Sequence, residues 1–262
     1  MITIQNYVRA ESLEQAYELN QKKSARILGG MLWLKMAKNT VGTAVDLSGL
    51  GLDTIKETGE GFSIGAMVTL RQLEQHPGLN ACTGGAFAKA LAPIVGVQFR
   101  NMATVSGSVW SRFGFSDVLT LLLALDTTVE LYKGGLVPLE TFAAMPYDRD
   151  LLVRVHIRKT PGRVAYEAMR IQRTDLPVLT CAVSDMGGAR AVIGARPGKP
   201  VVLQDEKGLL AGGVSKESAA AFAADVAARV PTGANSRGSA AYRTHLAEVL
   251  TRRCVLGLGG EL

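Results

Sequence analysis

Apolar and polar positions change period several times along the chain, and each change marks an element. ITIQNYV (residues 2–8) reads as a short strand. The segment from Leu13 reads as a helix, with Ser12 at its N-cap and Gln15 three positions on, the spacing of a capping box. ARIL (Ala25–Leu28) is a second strand; it runs into Gly29-Gly30 and then MLWLKMAK, whose length and Leu/Lys/Met content fit a short helix. AVDLS (Ala44–Ser48) is a third strand. The alternation of strand and helix over roughly fifty residues predicts a small parallel α/β unit.

After Gly51 the period shortens. DTIKE and FSIGAMV, joined by Thr58-Gly59-Glu60-Gly61, form a hairpin pattern, and Thr69 to Gln72 repeats the capping-box spacing. GGAFAKALAPIVG is helical up to Pro93, SDVLTLLLAL (116–125) is a buried apolar helix, and TVELY (128–132) and LLVRVHI (151–157) are strands. Thr160-Pro161-Gly162 breaks the pattern and marks the expected domain boundary. Beyond it RVAYEAMRI, PVLTCAVSD and ARAVIGAR predict a three-stranded antiparallel sheet, with a turn at Gly187-Gly188. A helix capped by Ser215 and running to Val230, and another from about Ser239 to Leu256, follow it; the GLGGEL end is expected to fray. The division is an α+β chain: residues 1–158 as two α/β lobes, about 1–52 and 53–158, then a C-terminal domain over 163–262.

Composition narrows the function classes. With 47% hydrophobic and 20% charged residues in 262, the chain has material for sizeable cores. The longest nearly apolar run, Val118–Leu125, is far short of the ~20 residues of a membrane span. The polar N-terminus lacks a secretory pattern, so a cytoplasmic protein without membrane contact is expected. Cys82, Cys181 and Cys254 are scattered, too few for an iron–sulfur cluster, and the three histidines form no metal motif, so no metal site is expected. The formal charge of +6 comes from dispersed Lys and Arg without interleaved aromatics, which argues against nucleic acid.

Two glycine-containing loops carry the candidate chemistry. Leu28-Gly29-Gly30-Met31-Leu32 follows a strand, and Thr104-Val105-Ser106-Gly107-Ser108 closes a long stretch of low periodicity, residues 95–110, expected to be a functional loop. Glycine admits close approach of an anion to the backbone and lets successive N–H groups converge, so either loop can hold phosphate or simply turn the chain. Ser116 or Asp117 can cap the apolar helix, and the Asp117 carboxylate can also accept from a ribose hydroxyl.

The stretch from Gly96 to Ser108, with Gln98, Arg100-Asn101 and Ala103-Thr104, followed by Ser116-Asp117 and Leu122-Leu123-Ala124-Leu125, resembles the Q-x-R-N-x-A-T-x-G-G-N … S-D … L-L-A-L signature of the FAD-binding subunits of molybdenum hydroxylases, the xanthine dehydrogenase and carbon monoxide dehydrogenase flavoprotein family. The likeness extends to Ile27-Leu28-Gly29-Gly30, to Ile64-Gly65-Ala66 and to Arg170 through Ala182. It implies a PCMH-type FAD-binding fold over 1–158 and a C-terminal domain of the flavoprotein type. It implies FAD as cofactor, with Ile27, Leu28, Gly29, Gly30, Met31 and Leu32 forming one side of the site, Ala103, Thr104, Gly107 and Ser108 the other, and Asp117 at the adenosine ribose. Trp110 is a further candidate for contact with a cofactor ring.

The same resemblance implies partners on separate chains, a [2Fe-2S] small subunit and a molybdenum-cofactor large subunit, with NAD or another redox carrier exchanging electrons with the flavin. No catalytic acid or base is expected, because electron and hydride transfer are the flavin's own chemistry. The chain departs from the pattern at Met31-Leu32, where the family has Thr and an acid, at Ser106 in place of Gly, and at Ser108 in place of Asn. These departures remove side-chain ligands and leave the amides. They keep open a second reading, an assembly module without FAD; a self-sufficient flavoprotein oxidase is disfavoured by the short chain left for a substrate domain.

Overall fold

The computed structural model describes residues 2–260. Its first half runs β1 (Thr3–Arg9), α1 (Leu13–Asn20), β2 (Ala25–Leu28), β3 (Thr40–Asp46), β4 (Ile55–Glu57), β5 (Gly61–Gly65), α2 (Leu70–Gln75), α3 (Pro77–Cys82) and α4 (Ala86–Leu91). Then come α5 (Val97–Arg100), α6 (Val105–Trp110), α7 (Asp117–Ala124), β6 (Thr127–Leu131), β7 (Gly135–Pro138), α8 (Leu139–Ala144) and β8 (Leu152–Arg158). The chain ends with β9 (Val164–Met169), β10 (Leu179–Ser184), β11 (Arg190–Gly194), β12 (Val201–Gln204), α9 (Lys216–Arg229) and α10 (Ala240–Gly259).

These elements gather into two compact units, each made of separated stretches. One holds the chain up to Gln72 with Val97–Ser111 and Thr127–Ile157; the other holds Leu73–Gly96, Arg112–Asp126 and everything from Arg158 onward.

In the first unit β1, β3 and β2 form the expected parallel sheet, with Thr3 opposite Thr40 and Leu28 opposite Asp46. A five-stranded sheet follows in the order β4-β5-β8-β6-β7. Ala16, Val45, Leu47, Leu52, Ala66, Leu151 and Val153 share one buried cluster, so residues far apart in sequence close the core. Gly65 is required there: a Cβ would lie 2.0 Å from the Leu52 carbonyl oxygen.

Three local expectations are corrected. MLWLKMAK is not an α-helix; only Leu34–Met36 makes a 3-10 turn, with no side-chain cap at Trp33. A few residues without an N-cap gain too little from their own hydrogen bonds to nucleate a helix. Residues 95–110 are not a loop throughout, because α5 and α6 form within them, the latter capped by Thr104. The Gln15 side chain accepts from the N–H of Glu11 and not from that of Ser12, so α1 has the Ser12 cap without the full box. At Thr69 and Gln72 both bonds of the box are present.

In the second unit the antiparallel sheet has four strands, not three, in the order β12-β11-β10-β9. The added strand, VVLQ, is a short edge strand whose Val201 faces Ile193; four residues carry too little periodicity to stand out. Leu179, Cys181, Val183 and Ile193 pack with Phe222, Val226, Leu250 and Cys254 of α9 and α10. The C-terminal helix continues through Gly259 because Val255 and Leu258 are buried, and Gly260 closes it at φ +81°. The remainder of the GLGGEL end, Glu261 and Leu262, lies outside the described residues. Every residue of α7 is buried, and its N-cap Ser116 accepts from the Leu119 N–H.

Candidate functional site

The two glycine loops meet in the first unit. A Cβ on Gly30 would sit 1.9 Å from the carbonyl oxygen of Met102 and 3.0 Å from Ala103 Cα, and one on Gly29 would sit 2.7 Å from Thr104 Oγ1. Backbone therefore lies directly on backbone, which only glycine allows. Met31 adopts φ +59°, a left-handed conformation uncommon outside glycine. The N–H groups of Gly30, Met31 and Leu32 donate to no backbone carbonyl of the described residues. Three consecutive amides, at a residue of reversed handedness, are thus left to water or to an anionic ligand.

The second loop is internally satisfied. Thr104 Oγ1 accepts from Gly107 N–H at 3.2 Å and lies 3.2 Å from Ser106 Oγ, while the Ser106 N–H donates to the Ala66 carbonyl and that of Leu70 donates to Ala103. The Ile64-Gly65-Ala66 segment thus supports this loop from below. Ser108 sits in α6 with its N–H on the Thr104 carbonyl.

A cavity of about 490 Å³ lies beside both loops. Ile27, Gly29, Gly107 and Trp110 of the expected residues line it; Trp110 leans on Phe142 with ring centroids 5.7 Å apart. Leu28 is buried with Val41 and Ala44, Ala103 and Thr104 are buried, and Gly30, Met31, Leu32 and Ser108 flank the cavity without lining it. Ser106, which the sequence marks as part of the second loop and as a departure from the family's glycine, also lines it, as do Arg26, Tyr147, Arg149 and Leu151, which sequence reasoning missed. The last three come from over a hundred residues beyond the first loop, and no local motif announces them.

Asp117 belongs to the second unit. It begins α7, is 5% exposed, and its carboxylate accepts from the Tyr166 hydroxyl and from Arg170. Burial pushes its pKa up, against the pull of the Arg170 cation and of the hydrogen bonds; Tyr166 is raised by the same burial and by the neighbouring carboxylate. Arg170→Met strands this carboxylate, with an expected loss of about 3–5 kcal/mol of unfolding free energy. A raised folded pKa means that the group's stabilising contribution is present below its unfolded value near 3.9 and fades as pH rises through the folded value. Losing Arg170 raises the pKa further, so the deficit of the variant grows from about pH 4 toward pH 7. Urea unfolding across that range reads it; a deficit independent of pH contradicts the argument.

Comparison with known proteins shows what such a pair of loops belongs to. Residues 2–159 match the FAD binding domain in molybdopterin dehydrogenase, and residues 164–258 match the CO dehydrogenase flavoprotein C-terminal domain. The chain belongs to the molybdopterin dehydrogenase FAD-binding family.

It is 28% identical over 254 residues to YgfM of Escherichia coli, covering 94% of this chain and 93% of that one. It is 23% identical to the glyceraldehyde dehydrogenase medium chain of Sulfolobus acidocaldarius, over 95% of this chain and 96% of the relative. Among solved structures, a chain of the reconstituted CO dehydrogenase from Oligotropha carboxidovorans superposes with a TM-score of 0.87 at 25% identity, covering 99% of both chains. A chain of CO dehydrogenase from Hydrogenophaga pseudoflava superposes with a TM-score of 0.85 at 22% identity, covering 98% of this chain and 97% of that one. The protein is an FAD-binding oxidoreductase subunit with the CO dehydrogenase flavoprotein fold. The open amides of the first loop and the glycines that bring the loops together fit the cofactor's diphosphate.

Among the described residues no cluster of three or more His, Cys, Asp or Glu is placed to hold a metal, and no helix is long and apolar enough to cross a membrane.

Proposed function

We propose that this chain is the FAD-carrying electron-transfer subunit of a molybdenum-hydroxylase-type complex. It would work with a [2Fe-2S] small subunit and a molybdenum-cofactor large subunit on separate chains, in the cytoplasm. It passes electrons between the clusters and NAD or another carrier. The observation that carries this reading is the contact of Gly30 with Met102 beside three amides open to an anion. Residues 1–158 are the FAD-binding domain and 163–262 the C-terminal domain.

Bound FAD supplies hydride and one-electron chemistry. The chain's residues bind and orient it. The amides of Gly30, Met31 and Leu32 take the diphosphate; Gly29 and Gly107 keep the approach clear of side chains. Ala103 and Thr104 hold the second loop in shape, and Ser108 stands one turn into α6, where family members carry Asn. Ile27 and Trp110 supply apolar wall, with Leu28 anchoring the strand behind them. Asp117 is carried as a ribose acceptor, its second carboxylate oxygen being the one not engaged by Tyr166 and Arg170.

Met31 and Leu32 bring neither hydroxyl nor carboxylate to the first loop, which favours the alternative of an assembly module without FAD. The visible spectrum of the purified chain separates the two. A flavin band near ~450 nm and about one FAD released per chain on denaturation are expected. A colourless protein that takes up no added FAD overturns the proposal in favour of the module.

A further inference from the structure

The cavity has a wall that neither glycine loop supplies. Residues 147–150 run in irregular backbone between α8 and β8, and Tyr147 and Arg149 both line the cavity. This stretch is fastened at three places by side-chain bonds to main chain; at its far end the Asp150 carboxylate accepts from the N–H groups of Lys133 and Gly134 at 3.0 and 2.8 Å. The Tyr147 hydroxyl donates to the carbonyl of Ser111, just past the end of α6, at 2.5 Å. Arg149 clasps the end of α1: its Nη1 donates to the carbonyls of Asn20 and Lys22 at 2.8 and 2.9 Å, and its Nη2 to that of Lys23 at 3.3 Å. In return its own carbonyl accepts from the side-chain amides of Asn20 and Gln21 at 2.9 and 3.0 Å. The last turn of α1 holds no basic residue, so this guanidinium is the cation at the negative end of the helix, supplied from 129 positions away.

The geometry points to residues 147–150 as a strap that retains FAD, with Tyr147 and Arg149 as the positioning residues that fasten it. The inference rests on the FAD reading of the cavity. A ligand seated at Gly29 and Gly107 that fills this cavity also meets the strap, because Gly29, Gly107, Tyr147 and Arg149 line the same cavity. With Asp150 held by Lys133 and Gly134, departure requires the Tyr147–Arg149 end of the strap to part from Ser111 or from the turn after α1. Tyr147 is 61% exposed, so its fastening bond can be removed without opening the core.

The test uses the whole protein loaded with FAD. Release is followed by the rise of free-flavin fluorescence after dilution, in parallel with the melting temperature of the FAD-free form. One hydrogen bond is worth a factor of about five in such a rate. Tyr147→Phe and Arg149→Lys are each expected to release FAD about fivefold faster, and Arg149→Met faster than Arg149→Lys. The FAD-free Tyr147→Phe protein should melt within about 2 °C of the wild type. Release at the wild-type rate from Tyr147→Phe and Arg149→Lys overturns the strap while leaving FAD binding standing. So does a release rate that merely follows lowered melting temperature across the three variants. A wild-type protein that binds no FAD overturns the underlying reading and the strap with it.

Discussion

Gly30→Ala is expected to abolish FAD binding, weakening it by a factor of about a hundred or more. The new Cβ would stand 1.9 Å from the Met102 carbonyl oxygen and 2.6 Å from its carbon, both backbone atoms that no rotamer change can move. The loops must separate, and overpacking of this kind costs at least about 1–3 kcal/mol of stability. Separation also moves the amides of Gly30, Met31 and Leu32 away from the second loop, and so from the geometry an anion requires. A graded series isolates the effect. Gly29→Ala meets Thr104 Oγ1 at 2.7 Å, a side-chain atom that can turn at the expense of the α6 cap, so an intermediate loss is expected. At Gly59, in the hairpin turn, a Cβ meets nothing within 4 Å, and Gly59→Ala should bind as the wild type does. Flavin-fluorescence titration with melting curves reads the series. Wild-type affinity in Gly30→Ala would disprove the two-loop site.

Arg243→Met is expected to destabilise the protein by more than about 4 kcal/mol, enough to abolish soluble expression or to shift the urea midpoint far down. The side chain is 1% exposed and faces no carboxylate among the described residues. Its Nε donates to the carbonyls of Val178 and Ala195 at 3.0 and 3.2 Å, its Nη1 to those of Gly233 and Gly238 at 2.9 and 2.5 Å, and its Nη2 to Asn235 Oδ1 at 2.6 Å. One guanidinium thereby ties two strand ends to the polar loop before α10. Burial lowers its pKa, yet arginine stays protonated and all five donations persist. Methionine removes the donors and leaves the buried carbonyls of Val178 and Ala195 without them, each costing about 1–3 kcal/mol where no water replaces the bond, and frees the part-buried loop acceptors of Gly233, Asn235 and Gly238. Arg243→Lys keeps the charge but brings three donors on a flexible stem, so it should recover little. An Arg243→Lys protein within about 1 kcal/mol of the wild type would show that charge, not the planar fork, is what matters there.

Much of the architecture was legible because it is written in local pattern. The strand Ala25–Leu28 coincides with its sequence reading, the caps at Ser12 and Ser215 engage their helices, Ser116 is the cap of the two candidates at the start of α7, and the all-buried α7 follows from an apolar run broken only by Thr120. The failures share one cause. MLWLKMAK, the helices α5 and α6, and the strand β12 are each too short for a period to show, and tertiary packing decided their conformation.

The candidate site divides along the same line. Sequence by itself determined the chemistry: two glycine-containing loops that admit an anion, three cysteines too scattered for a cluster, and the signature that names the cofactor. Only the tertiary structure decided where Gly30 rests, which amides stay open, and that Tyr147 and Arg149 wall the cavity beside them. It also decided that Asp117 is clasped by Tyr166 and Arg170 from about fifty residues away, a pairing that neither capping nor motif predicts. Such contacts depend on sheet register and strand order, and a sequence motif encodes neither beyond the few residues it spans.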